Sequence, residues 1–248
     1  MNISYSDKEI KNVIGNLNET GFHCIENAFD VKTQLSFVSY VNKLIDKKGK
    51  RYFSLINILK DVNSPFNKID TNQRFKSIME KISENCVKRK VYENENLSIL
   101  RVVTGKNVKN QKLNFHYDAY ALTALIPIVI PKGNIEDCGH LIAFPNIRNI
   151  RSNFLFNFFE KLILQNPISR KMLTIFFYKN FKKYTYIMKP GNIYLFWGYR
   201  TIHANHAVIP DNLRATLLYH VGEVHKNSFI DKYIRKRRHN LENKNTES

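Results

Sequence analysis

The chain of 248 residues is short of several things, and each shortage removes a class of protein. It has no long hydrophobic run: the most apolar windows, 121–130 and 154–164, are too short to span a bilayer. The opening "MNISYSDKEIKN" is polar from its first residues and lacks an apolar stretch before a small-residue cleavage site, so no signal peptide is expected. Cysteine is scarce. Cys24, Cys86 and Cys138 are scattered, odd in number and without metal-ligand spacing, which argues against a disulfide scaffold or a zinc module and fits reduced thiols in a cytoplasmic protein. There is no internal repeat and no Pro- or Gly-rich linker. Acidic residues are also in deficit, 21 against 39 Lys and Arg, a formal net charge of +18.

That excess is localised. Residues 148–183 hold eight Lys or Arg against Glu160 alone, and 226–240 hold six against Asp231. A field of this sign favours an anionic partner: nucleic acid, an acidic membrane surface, or a phosphorylated or carboxylated small molecule. An apolar fraction of 43%, with 17 Phe and 13 Tyr, is ample for a packed core and argues against global disorder.

Two patterns divide the chain. In the first third, "VKTQLSFVSYVNKLIDKK" behind Asp30 and "QRFKSIMEKISENCVKRK" place apolar residues at helical intervals, and "TGFHCIENAFD" reads as a short strand ahead of them. From Leu97 onward the segments "LSILRVV", "KLNFHYDAY", "ALTALIPIVI", "CGHLIAF", "KYTYIM", "NIYLFW", "TIHANHAV" and "RATLLYHV" are short, β-branched and aromatic, with Gly or Pro in several gaps. This predicts a mainly β fold with flanking helices, a jelly roll with helices packed outside. The expected organisation is one domain over 1–225, helical to about 95 and β from about 96. An amphipathic helical insertion at 146–184 and a polar basic tail at 226–248 complete it.

The stretch "LNFHYDAY" carries the chemistry. If it is a strand, His116 and Asp118, two residues apart, project from one face and can bind one divalent ion. A third ligand is then expected from "GNIYLFWGYRTIHANHAVIPDNLRATLLYHVG". Two imidazoles and one carboxylate on one face of an octahedron leave three positions open, which suits non-haem Fe(II), and the absence of a Cys ligand argues against structural zinc.

With the downstream residues included, 97–222 resembles the Fe(II)- and 2-oxoglutarate-dependent dioxygenases, nearest the phytanoyl-CoA-hydroxylase-like branch. His116-Tyr117-Asp118 matches that family's H-x-D, His203 its distal histidine, and Arg214-Ala215-Thr216 its R-x-S/T, eleven residues past His203. "GFHCIENAFD" and "CGHLIAFPN" look like flanking segments of the same branch. The resemblance implies a double-stranded β-helix in which His116, Asp118 and His203 hold Fe(II). It also implies that Arg214, aided by the Thr216 hydroxyl, grips the far carboxylate of 2-oxoglutarate. O2 would be the second co-substrate, with succinate and CO2 as products and a hydroxylated substrate. His206 competes with His203 as distal ligand. The spacing to Arg214, and Val208 at a position where the family usually has Val, favour His203.

Around this set, Tyr117 and Tyr120 are candidates to line the pocket, and Arg101 in "ILRVV" is a candidate anchor for a substrate anion, weighed against a surface ion pair. His140, His220 and His225 read as ordinary histidines, and Trp197 as core. The expected substrate is an anionic small or lipid-linked molecule, with peripheral contact at an acidic membrane surface a further expectation for this cytoplasmic protein. Nucleic acid remains open, although demethylases of this chemistry carry a second Arg where this chain has His220. Lysyl and prolyl hydroxylases commonly have Lys where Arg214 stands. From outside the enzymes, the competing reading is a basic nucleic-acid- or lipid-binding protein on a non-catalytic cupin-like scaffold. A metal-bound cupin that uses iron without 2-oxoglutarate leaves Arg214 and Thr216 without a role.

Overall fold

The structure is a computed structural model, and it describes residues 1, 3–106, 113–148, 175 and 183–224. The expected helical insertion and basic tail fall almost wholly outside the described residues.

Three helices of the first third are amphipathic and capped. α1 (Asp7–Glu19) begins at a capping box in which Ser6 and Glu9 satisfy each other's backbone N–H, and it buries Ile10, Val13 and Leu17. α2 (Val31–Lys48) starts where the Asp30 carboxylate accepts from Thr33 N–H, and buries Phe37 and Val41. α3 (Asn67–Asp70) is a single turn. α4 (Gln73–Val87) is capped by Asn72 and turns Phe75, Ile78, Met79 and Ile82 inward. The helix α1 was not foreseen, although its S-x-x-E signature stands in the sequence as Ser6 to Glu9.

The strands are β1 (Phe22–Ile25), β2 (Phe53–Ile56), β3 (Leu97–Val103), β4 (Tyr120–Val129), β5 (Leu141–Phe144), β6 (Thr185–Tyr186), β7 (Ile193–Phe196), β8 (Ile202–Asn205) and β9 (Arg214–Glu223). They form a six-stranded sheet in the order β1-β7-β4-β9-β3-β2 and a three-stranded sheet in the order β6-β5-β8, with antiparallel neighbours throughout. This is the mainly β jelly-roll architecture with flanking helices that the sequence predicts.

The strands β4 and β9 are almost buried from end to end, because the larger sheet is covered on both faces. Alternation sorts their side chains. Leu122, Ala124 and Ile126 of β4, Ala215, Leu217, Tyr219 and Val221 of β9, and Leu100 and Val102 of β3 join the helical residues in one core. The opposite parity, Leu125, Leu218 and Ile99, meets Leu141 and Ala143 of the smaller sheet. Arg214, Thr216 and His220 share the parity of Leu218, and Arg101 shares that of Ile99. The polar residues of the long strands therefore point into the space between the sheets.

One expectation is corrected. "KLNFHYDAY" does not form a strand over residues 113–119, which make only an isolated antiparallel bridge, His116 to His203; its last residue, Tyr120, opens β4. The backbone here is tied point by point, Leu113 N–H to Asn205 O, His116 and His203 to each other, and Asp118 N–H to Gly198 O. The turn at Gly198 takes over from β8 before a ladder can run.

Phe75 is fully buried and its ring lies 5.9 Å from that of Tyr219, joining the helical layer to the central strand β9. Phe75→Ala is expected to cost about 3–5 kcal/mol and to lower the thermal midpoint by roughly 10 °C. A midpoint within about 2 °C of the wild type would show that this layer does not support the sheet.

Candidate metal and anion site

At the mouth between the sheets the structure brings together His116, Asp118 and His203, whose ligand atoms all lie within 4.8 Å of one another. The paired backbone hydrogen bonds of His116 and His203, each 3.0 Å, hold the two imidazoles side by side with ring centroids 4.4 Å apart. Each ring is fixed in one tautomer by a carbonyl two residues upstream. His116 Nδ1 donates to Asn114 O at 2.8 Å and His203 Nδ1 to Thr201 O at 3.0 Å. A carbonyl can only accept, so Nδ1 carries a proton, which leaves Nε2 as the ligand atom of the neutral ring. Those two Nε2 atoms stand 3.9 and 3.7 Å from Asp118 Oδ1, too far for a hydrogen bond. Three ligand atoms converge at distances from the Asp118 carboxylate too long for hydrogen bonds, an arrangement that a bound cation would satisfy. The donor set fits a divalent first-row metal with nitrogen and carboxylate preference.

The other oxygen of Asp118 is already used. Thr123 Oγ1 donates to Oδ2 at 2.5 Å, and His220 Nδ1 lies 3.0 Å from the same hydroxyl. This chain orients the carboxylate so that Oδ1 alone faces the imidazoles. Behind it sits Gly198, where an added Cβ would collide with Thr123 Oγ1 and the Asp118 carboxylate, so only a glycine lets the turn approach this closely. Burial pushes His116 down to about 3, helped by His203 and Arg101 and opposed by Asp118. Burial also raises the Asp118 carboxyl, but the imidazoles of His203, His220 and His116 and the Thr123 bond outweigh it and hold it below the usual carboxylate range.

The cleft behind the three donors has an empty volume of about 360 Å³ including its open mouth, with apolar walls of Leu125, Leu141, Phe196 and Leu218. Arg214 and Thr216 also line it. Arg214 is 3% exposed. Its Nε donates to Gly139 O at 2.8 Å, Nη2 to Asn205 Oδ1 at 2.9 Å, and Nη1 to Thr216 Oγ1 at 3.4 Å. All three partners are neutral, so the guanidinium is aimed and buried but has no counter-charge among the described residues. Burial first, and then the nearby Arg101, push it down to about 10. Gly139, at φ +67°, passes so close to the Arg214 side chain that a Cβ there would strike it. A buried cation of this kind fits a carboxylate ligand, and the bidentate geometry of guanidinium suits it.

Of the remaining candidates, Arg101 lines the cleft and makes no ion pair or hydrogen bond among the described residues, so the surface ion pair weighed against it is not found there. Tyr117 and Tyr120 do not line it. Tyr117 packs among Phe115, Ile142, Phe144 and Ile202, its ring 3.8 Å from the Arg148 guanidinium, because it points away from its neighbours His116 and Asp118. Tyr120 reaches the site only through a ring stacked on His220 at 5.2 Å. His206 points elsewhere, with Nε2 2.9 Å from Thr185 Oγ1. Trp197 is fully buried in the core. Thr123, Gly198, Asn205 and His220 were not foreseen as site residues. His220 had a legible signal, the same strand parity as Arg214 and Thr216.

No family model matches the chain, and no curated protein matches it. Solved structures do. A prolyl 4-hydroxylase from Phytophthora capsici is 11% identical, with a TM-score of 0.57 over 93% of this chain and 70% of its own. AviO1 from Streptomyces viridochromogenes Tue57 is 10% identical, with a TM-score of 0.55 over 88% and 96%. The non-heme alpha ketoglutarate dependent epimerase SnoN from nogalamycin biosynthesis is 12% identical, with a TM-score of 0.54 over 87% and 84%. The chain shares the jelly-roll fold of these structures. At such identities the likeness is one of fold.

Two outcomes follow from the site as built. His116 stays neutral in the folded protein well below the ordinary histidine value near 6.5, whereas the unfolded chain takes up that proton. The unfolded state then binds more protons below about pH 6.5, so stability of the metal-free protein falls with falling pH, by at most about 1.4 kcal/mol per unit from this group. Thermal unfolding in chelator at pH 7, 6 and 5 is expected to show this slope, reduced in His116→Asn; an equal slope in the variant would contradict it. Separately, Thr123→Val leaves Oδ2 of Asp118 without its donor and is expected to weaken Mn(II) binding about tenfold or more. Unchanged Mn(II) affinity would show that the hydroxyl does not orient the carboxylate.

Proposed function

We propose that the protein is an Fe(II)- and 2-oxoglutarate-dependent oxygenase that hydroxylates an anionic small or lipid-linked molecule. One observation carries this reading: a single cleft is lined by three converging metal-ligand side chains and by a buried guanidinium without a counter-charge among the described residues. A keto-diacid satisfies both at once, with its oxo-acid group toward the metal and its far carboxylate on Arg214. The SnoN structure in complex with Fe3+ and alpha ketoglutarate, which matches this chain at a TM-score of 0.50 and 11% identity, gives independent support for that pair of ligands in this fold.

His116 Nε2, Asp118 Oδ1 and His203 Nε2 are the metal ligands in this proposal, and Arg214 with Thr216 binds 2-oxoglutarate. Thr216 Oγ1 accepts from Arg214, so its own proton is directed to the carboxylate. When bound, iron with 2-oxoglutarate and O2 supplies oxidative decarboxylation to succinate and CO2, with the second oxygen atom entering a C–H bond of the substrate. The chain's own residues set the conditions. Nδ1 of each histidine is pinned, so neither ring has to change tautomer on loading. Leu125, Leu141, Phe196 and Leu218 keep bulk water from the aliphatic part of the co-substrate, which strengthens the pairing at Arg214. The described helices are not long and apolar enough to cross a membrane.

Loading with Fe(II) under anaerobic conditions, followed by O2 and 2-oxoglutarate, is expected to release succinate. His203→Ala is expected to lose metal affinity by about a hundredfold or more, while His206→Ala retains it. Retained iron in His203→Ala would overturn the ligand assignment. Absence of succinate, together with nucleic-acid binding that falls steeply with salt, would favour the non-catalytic binding protein.

A further inference from the structure

A second cleft, also about 360 Å³ with its mouth, adjoins the first and is lined by Tyr52, Val103, His206 and Val208. Arg101, Asn205 and Arg214 line both clefts and form the wall where they meet. The two guanidiniums come from neighbouring strands. Arg101 on β3 stands in register with Thr216 on β9, two residues from Arg214, and Val103 pairs with Arg214 itself. The surroundings of the two arginines differ. Arg214 is held by three neutral hydrogen-bond partners, whereas Arg101 is half-buried and makes no hydrogen bond or ion pair among the described residues.

Charge balance extends the function proposed above, on which this inference rests. Among the residues lining the first cleft, the formal charges are Arg101, Arg214 and Asp118. Asp118 and a dicarboxylate together offset a divalent ion and Arg214. The charge of Arg101 is then left over inside a half-buried wall, beside a second guanidinium that repels it. Such a position is costly unless the working complex brings one more anion. Arg101 also lines the second cleft, which has Tyr52, Val103 and Val208 to receive an organic body.

We infer that Arg101 is a specificity-determining residue that binds a carboxylate or phosphate group of the primary substrate at the junction of the two clefts, and that the second cleft holds the body of that substrate. The assignment places one anionic group of the substrate near the metal ligands while leaving Arg214 to the co-substrate.

The test uses the full chain loaded with Mn(II) and 2-oxoglutarate. Acetate and inorganic phosphate serve as probes, read by paramagnetic broadening of the acetate methyl 1H and phosphate 31P signals. Wild type is expected to broaden at least one probe saturably, and which one responds identifies the anion. Arg101→Met and Arg101→Gln are expected to weaken that binding about tenfold or more, as loss of a charge-assisted hydrogen bond requires. Their 2-oxoglutarate affinity is expected to change far less than that of Arg214→Met, because the far carboxylate is held by Arg214 and Arg101 acts on it only as a neighbouring charge. Three results would overturn the inference: no saturable broadening in wild type, equal broadening in the variants, or a 2-oxoglutarate affinity that falls in both variants as it does in Arg214→Met. The last would assign Arg101 to the co-substrate. If the Mn(II)-loaded wild type binds no 2-oxoglutarate, the function proposed above fails first and takes this inference with it.

Discussion

The convergence of His116, Asp118 and His203 on one point is the constraint around which the rest of the structure is arranged. Each turns a ligand atom toward the other two, and both imidazole Nε2 atoms lie too far from Asp118 Oδ1 for a hydrogen bond. Both Nδ1 protons go to backbone carbonyls, and the second oxygen of Asp118 is bonded by Thr123. Low basicity at His116 follows from the same burial. A folded chain keeps such a cluster when a cation resolves it, and the energy gained on metal binding is the natural return for the cost of assembling it.

The fold serves this cluster by parity. Two long strands at the centre of the larger sheet bury one set of side chains against the helices and turn the other toward the smaller sheet. Because β3, β4 and β9 run side by side, the second set becomes a patch of polar groups: Arg101, Thr123, Arg214, Thr216 and His220. None of these was placed by a loop. They are held on ladders whose registers are set by hydrogen bonds along most of the strands' length, which is why they can be positioned to within the tolerance that ligand binding demands. His116 and Asp118 are the exception. They occupy an irregular stretch, and there the positioning is done by a pair of backbone bonds to His203 and one to Gly198.

Much of this was legible from the amino acids. The helices α2 and α4, and seven of the strand segments from Leu97 onward, follow from periodicity and composition. The resemblance of His116-Tyr117-Asp118, His203 and Arg214-Ala215-Thr216 to a known family's motifs pointed to residues that the structure gathers in one cleft. What was not legible depends on pairing between distant segments. Strand status for 113–119 failed because its partners change from residue to residue, a property of the neighbours and not of "LNFHYDAY" itself. Tyr117 was a candidate for the pocket only while its neighbours' direction was unknown. From sequence, a surface ion pair was favoured for Arg101 over an anchor in the cleft, and its register with Thr216 is what sets it on the cleft wall. Asn205, Thr123 and Gly198 carry no motif, and they matter because β8, β4 and the turn after β7 bring them beside a guanidinium or a carboxylate. The strand β2, four residues at the sheet edge, has too few residues to show a period.

The central claim is geometric, and so is its most direct test. A crystal of the protein grown with Mn(II) and 2-oxoglutarate under anaerobic conditions would show, by anomalous scattering, where the ion sits. The account predicts one ion within coordination distance of His116 Nε2, Asp118 Oδ1 and His203 Nε2, chelated by the keto-acid end of a ligand whose other carboxylate rests on Arg214. An ion bound elsewhere, or a carboxylate that leaves Arg214 unpaired while the three donors remain bare, would contradict it.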